Sequence, residues 1–232
     1  MKPDAGPIKL PAMDPMSDDT FDQALISAAF RVAATRGWAG MTIVEAARDA
    51  GLPLDEVRAR FSGKRALLIR FGVLLDRAAL LAATQNGPVR EQLFDLLMSR
   101  FDTMKPHREG IRALLRHLPA DPGLALILLC ETRRAMRWML EAAGQPVNGV
   151  RGLLRIKGLT AVWTWTMRAF ERDTSDDLSA TMASLDQALG RAHDIALFLS
   201  GSSPAPDELA TDGPAPDGPA TDASAVPEAN SG

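Results

Sequence analysis

"GLPLDEVRARF", residues 51–61, decides how this chain is read. Gly51 permits a tight turn, and Pro53 suits a first helical turn, where its fixed φ helps and its missing N–H is not needed. Val57 and Phe61 stand four apart, so they share the inward face of a short helix over 53–61. Upstream, "TIVEAARDAG" predicts a second short helix over 42–50, closed by Gly51. Its Thr42 and Glu45 have the spacing of a capping box. Before that, Phe21, Leu25, Ala28, Ala29 and Val32 form an apolar stripe that predicts a helix over 18–37, with Gly37 as a left-handed stop. After it, Gly63 releases a long helix from Lys64 to about Gln85.

The remainder divides at "NGP" (86–88), "KPH" (105–107), "LPADPG" (118–123), "AAGQPVNG" (142–149) and "RDTSDD" (172–177). Each is a Pro, Gly or Asp break between amphipathic segments, which predicts five further helices over 89–104, 108–117, 122–143, 150–171 and 176–199. The expected architecture is all-α, about nine helices: a three-helix front unit over 18–64 and a helical bundle over 65–200. β-branched alternation is absent, and the chain has no tyrosine. Residues 1–17, with four prolines, read as a flexible arm, and the Pro/Ala/Asp-rich 201–232 read as a disordered acidic tail.

Composition is that of an ordinary soluble domain, 46% hydrophobic and 24% charged with mean hydropathy near zero. The net charge of −3 conceals a division. The tail holds Asp207, Glu208, Asp212, Asp217, Asp222 and Glu228 with no Lys or Arg, which leaves 1–200 at +3. A mildly basic body permits an anionic partner. The single cysteine, Cys130, sits in the apolar run "LILLCET" and reads as a buried, inert thiol. With no disulfide framework, no apolar leader and no membrane-length apolar run, the expected setting is cytoplasmic, without a membrane span.

Two short helices joined by "DAGLP" form a helix-turn-helix pattern: Ala46, Ala47 and Ala50 allow close approach, and the third helix offers its outer face to a groove. The stretch "AAFRVAATRGWAGMTIVEAARDAGLPLDEVRARFSGKRALLIRF" resembles the N-terminal domain of TetR-family transcriptional regulators. Gly37, Thr42, Ala46, Ala50, Gly51, Phe61, Lys64 and Leu67 fall at the places that carry the resemblance. The resemblance implies a homodimer that sets two recognition helices in successive major grooves, and a C-terminal bundle that senses a small apolar effector. It implies DNA contacts from Thr42, Leu54, Asp55, Arg58, Arg60 and Lys64, with Arg58, Arg60, Lys64 and Thr42 at phosphate and Leu54 and Asp55 nearest base edges. The sequence departs from the pattern at Pro53, Asp55 and Glu56. The two carboxylates stabilise the first helical turn, or Asp55 accepts from a cytosine amine. Residues 31–77 carry nine basic and five acidic side chains, a net +4.

In the back half Met104, Trp138, Met139, Trp163 and Met167 are candidates for lining an apolar pocket, and the same residues suit a packed core. Arg133, Arg134 and Arg137 can meet an anionic head group or face water. "FERDTSDDLSATMASLD" also resembles the ubiquinone-biosynthesis lipid-binding proteins, which share this fold and do not repress genes. That resemblance, spanning roughly 40–192, implies the alternative of a lipid-binding accessory protein without DNA binding. Leu178, Met182, Leu185, Leu189, Ala192 and Leu199 form a near-heptad seam that reads as a dimer or core contact. Gly149, Gly152 and Gly158 can permit close helix contact. Catalysis and cofactors are not expected: His107, His117 and His193 lack metal spacing, and no nucleophile elbow or phosphate-binding loop is present.

Overall fold

The computed structural model describes residues 18–83 and 87–199, with side chains to 196. The arm and tail expected at 1–17 and 201–232 lie outside the described residues, and the fourth helix stops at Leu81, with Ala82 as its C-cap, short of the expected end near Gln85. Nine α-helices follow one another among the described residues: α1 Asp18–Gly40, α2 Ile43–Asp49, α3 Leu54–Arg60, α4 Lys64–Leu81, α5 Val89–Met104, α6 Arg108–His117, α7 Pro122–Ala142, α8 Gly149–Arg172 and α9 Ser179–Leu199. Two single 3-10 turns, 105–107 and 118–120, join α5 to α6 and α6 to α7. The expected order and number hold, and α9 starts three residues later than its sequence pattern suggests.

The apolar stripe of α1 is buried at Phe21, Leu25, Ala28 and Ala29, with Ile26, Phe30 and Ala33 beside it. At Gly37 the backbone takes φ +74°, the left-handed region that favours glycine, and this kink lets Trp38 turn back into the core. Thr42 caps α2 by accepting a hydrogen bond from the Glu45 N–H at 3.2 Å. The reciprocal half of the capping box is replaced: the Glu45 carboxylate accepts from the Thr42 hydroxyl at 3.1 Å and pairs with Arg36. Gly51 at φ +66° makes the turn to α3, whose Val57 is buried beneath, followed by the buried Phe61.

The front unit is not a loose appendage. α1 packs along α6, and α4 runs from the front unit into the bundle, where it meets α5 and α7. Behind it, the Phe101 ring stacks on Trp163 at 4.5 Å and lies 5.4 Å from Phe170. Burying each such ring contributes roughly 1.5–3 kcal/mol. Met136, Met139, Leu97 and Leu185 are fully buried in the same core.

The seam of α9 faces inward. Leu178, Leu185 and Leu189 are buried, while Met182 is exposed, and α9 packs on α8 and α5 of its own chain. The side chain of Leu199 is outside the described residues. The glycines of α8 act differently from the helix–helix contact expected of them. A Cβ on Gly152 would fall 2.1 Å from the Val147 carbonyl carbon, so this glycine lets the preceding loop fold back, whereas Gly158 faces open space. Cys130 departs from expectation outright: it is exposed, because α7 buries the opposite side, where Leu124, Ala135, Met136 and Met139 lie.

Candidate functional site

Two places concentrate the residues singled out by sequence. The first is the outer face of α3. Leu54 is 43% exposed, and Asp55 and Arg58, within one turn of it, are exposed as well. None of Asp55, Glu56, Arg58 or Arg48 has a side-chain partner among the described residues. Thr42 is exposed at the start of α2, its hydroxyl engaged with Glu45.

The other two cations expected at phosphate are turned inward. The Lys64 ammonium donates to three carbonyls at the end of α1, those of Trp38 at 3.1 Å, Ala39 at 3.3 Å and Met41 at 3.0 Å. Three protons meet three acceptors, so this lysine ties α4 to the kink in α1. Arg60 reaches back to α1, pairing with Asp18 at 2.8 Å and lying 4.4 Å over the Phe21 ring. Arg31 pairs with Asp49, Arg36 with Glu45, and Arg70 with Asp19 and Asp22. Counting α1 changes the tally as well. Over residues 18–77 there are nine basic and eight acidic side chains, a net +1 in place of the +4 of the narrower window.

The second place is a half-open cavity of about 1160 Å³ between α4, α5, α6, α7 and α8. Leu68, Phe71 and Leu75 of α4, Met104 of α5, Ile111 and Leu114 of α6, Leu128 of α7 and Met167 of α8 line it. Trp163 forms part of the wall and the half-exposed Trp138 stands at its edge. Four of the five residues expected to line a pocket meet here. The fifth, Met139, is fully buried in the core and does not reach the cavity. Its position on α7 one residue after Trp138 turns it about 100° away. Gly72 also borders the cavity, and a Cβ built on it would meet nothing within 4 Å. A glycine inside a helix costs about 1 kcal/mol relative to alanine, and here it leaves space open.

No protein-family model matches the chain, and no curated protein matches it in sequence. Solved structures do match in shape. A TetR transcriptional regulator from Nitrosomonas europaea ATCC 19718 superposes with a TM-score of 0.61 at 22% identity, covering 75% of this chain and 98% of that one. A TetR-family transcriptional regulator from Streptomyces coelicolor gives 0.56 at 19% identity, over 79% of this chain and 85% of that one. The fold is TetR-like.

Within this TetR-like fold three features went unread in the sequence. Arg100 of α5 lies buried on the cavity wall, in ion-pair contact with Asp76 of α4 and 4.8 Å over the Trp163 ring. Burial brings its guanidinium down to about 10 from the usual value of 12.5. His107 stacks on Phe30 at 5.3 Å where the front unit meets the bundle; burial, then the positive charge of Arg31, hold it below the usual histidine value. Asp173, at the end of α8, accepts from the N–H and hydroxyl of Ser175 and from the N–H and hydroxyl of Thr181. Burial alone would raise this carboxyl, but the four donors outweigh it and hold it well below the usual carboxylate range. The stretch "RDTSDD" carried the signal, an Asp two residues before a Ser.

Among the described residues no group of His, Cys, Asp and Glu is placed to hold a metal ion, and no single helix is long and apolar enough to cross a membrane. Arg134 stands 3.8 Å from Glu131 and Arg137 pairs with Glu141, so two of the three arginines of α7 have neighbouring acids.

Proposed function

We propose that this protein binds one elongated, mostly apolar molecule inside its bundle, on a TetR-like scaffold whose α3 does not read DNA. The observation that carries this is the cavity. Its 1160 Å³ exceeds the ~300–1,000 Å³ usual for small-molecule sites, and its walls are mostly aliphatic and aromatic. That volume and lining suit a lipid-like chain better than a compact polar metabolite. The resemblance to lipid-binding proteins of ubiquinone biosynthesis implies the same class of ligand.

The front unit supports the second half of the reading. Phosphate binding needs several uncommitted cations on one face, since affinity grows with the number of phosphates neutralised. Near α3, Lys64 is bonded to carbonyls and Arg60 to α1, which leaves Arg58 and Arg48 beside the bare carboxylates of Asp55 and Glu56.

A second reading is a dimeric DNA-binding regulator that senses the same apolar molecule. The exposed face formed by Leu54, Asp55 and Arg58 favours it, as do the solved structures of similar shape, which are transcriptional regulators. On this reading Arg58 meets phosphate, Thr42 supports it, and Leu54 and Asp55 lie nearest the bases.

Two titrations separate the readings. An apolar dye that brightens out of water should bind the wild type and fail to bind Gly72→Phe, which fills the cavity. The same two proteins are then mixed with genomic fragments at low salt. No shift, or an equally weak shift on every fragment, supports the first reading. A shift confined to particular fragments, weakened by salt and lost in Arg58→Ala, replaces it with the second.

A further inference from the structure

The cavity wall is apolar with one buried exception. The Arg100 side chain is 5% exposed and its partner Asp76 24%, and both border the cavity beside Leu75, Met104 and Trp163. The pair is incompletely bonded. Nη1 of Arg100 is in ion-pair contact with Oδ1 of Asp76, while Nε of Arg100 is buried without a hydrogen bond. A pure hydrocarbon filling the cavity would leave the rest of the guanidinium unmet, which is costly for a charged donor. Stability does not require the pair, since apolar side chains of similar volume often serve a buried position as well or better.

We infer that Arg100 and Asp76 form a polar subsite that receives a neutral oxygen acceptor, such as a ketone, ester or amide carbonyl, on an otherwise apolar ligand. This rests on the proposed cavity function and narrows the ligand class. Charge balance selects the neutral group. Asp76 already offsets the guanidinium, so a carboxylate or phosphate would add an uncompensated negative charge where the effective dielectric is low. A carbonyl needs only a donor, and Arg100 keeps N–H groups beyond the one at Asp76 while Trp163 covers one face of its guanidinium. Of the other ionisable groups on the wall, Arg77 pairs with Asp19 and Arg134 lies near Glu131, while the exposed Arg168 and the half-exposed Glu171 add one charge of each sign.

The test displaces the bound apolar dye with three ligands of equal chain length: an alkane, its methyl ketone and its carboxylate. On the wild type the ketone should displace dye at about a tenfold lower concentration than the alkane, the worth of one hydrogen bond to a charged group. The carboxylate should do no better than the ketone. The double variant Arg100→Met with Asp76→Leu removes both charges together and avoids stranding one. It should bind the alkane at least as tightly as the wild type does and lose the preference for the ketone. Asp76→Asn should reverse the order, favouring the carboxylate, because the guanidinium is then unbalanced. Equal midpoints for ketone and alkane on the wild type overturn the subsite while leaving the apolar cavity intact, as does a ketone preference that survives in the double variant. Failure of all three ligands, and of the dye itself, to bind removes the cavity function and the subsite with it.

Discussion

Gly110 of α6 lies against the backbone of Phe30 of α1 with no room for a side chain: a Cβ on Gly110 would come within 2.4 Å of the Phe30 carbonyl oxygen. This contact presses the helix supporting α2 and α3 onto the bundle. Any ligand-driven movement in α6 must therefore act directly on α1.

The same closeness makes Gly110 sensitive. Gly110→Ala would have to push backbone apart, because the opposing atoms are main chain and cannot rotate away. Overpacking of this kind costs typically 1–3 kcal/mol. The urea midpoint should fall by a corresponding amount with little change in slope; an unchanged midpoint would show that the two helices are not in register as described.

His107 gives that junction a pH dependence. Its neutral ring stacks on Phe30 and meets the edge of Phe71 at 5.6 Å, and its folded value lies below the usual 6.5. Below 6.5 the unfolded chain then binds a proton that the folded chain resists, so stability falls as pH drops toward the folded value. Melting temperatures recorded from pH 7.5 downward should decline more steeply for the wild type than for His107→Phe. Parallel curves would contradict the burial of a neutral imidazole there.

Asp173 should matter more than the neighbouring Asp176 and Asp177. It accepts two hydrogen bonds from Ser175 in the connecting loop and two from Thr181 in the first turn of α9, and its backbone carbonyl accepts from Arg108 at 2.7 Å. Asp173→Ala should destabilise by about 2 kcal/mol, at the upper end for a lost helix cap. Because its folded carboxyl is held below the unfolded value near 3.8, the wild-type contribution is complete above that pH and is lost as pH falls below it. Chemical denaturation at pH 7 and pH 3 should show the gap between wild type and variant narrowing at the lower pH.

Cys130 is exposed on α7, near the equally exposed Leu126 and Leu129. A thiol reagent should titrate one equivalent from the folded protein without denaturant. A thiol that reacts only after unfolding would restore the buried position that its apolar flanks suggest.

Those flanks show where the sequence could be read and where it could not. Turn chemistry was legible: Gly37, Thr42 and Gly51 act locally and sit in the structure where their types require, while Pro53 is the N-cap of α3, one residue before the first-turn position expected of it. Helix faces were harder. In "LILLCET" every side is apolar, so periodicity cannot say which side is buried, and α7 exposes the cysteine. Long-range partners were beyond reach. Lys64 and Arg60 look like free cations until α1 folds over them, and the acids that Arg60 meets, Asp18 and Asp22, lie more than 35 residues before it in the chain. Arg100 and Asp76 lie on successive helices with nothing between to predict their meeting. The apolar pocket residues were legible except Met139, because Trp138 and Met139 are adjacent and cannot face the same way.

The most direct test is to purify the protein without added ligand, extract it with organic solvent and identify what is released by mass spectrometry, with Gly72→Phe treated alongside. Gly72→Phe should fold at least as stably as the wild type, since it replaces a helical glycine facing open space. The expected result is one dominant apolar species, near one molecule per wild-type chain, bearing a neutral oxygen group and missing from the variant. Extracts that are equally empty, or that carry the same mixture from both proteins, would contradict a ligand-holding cavity between α4 and α8.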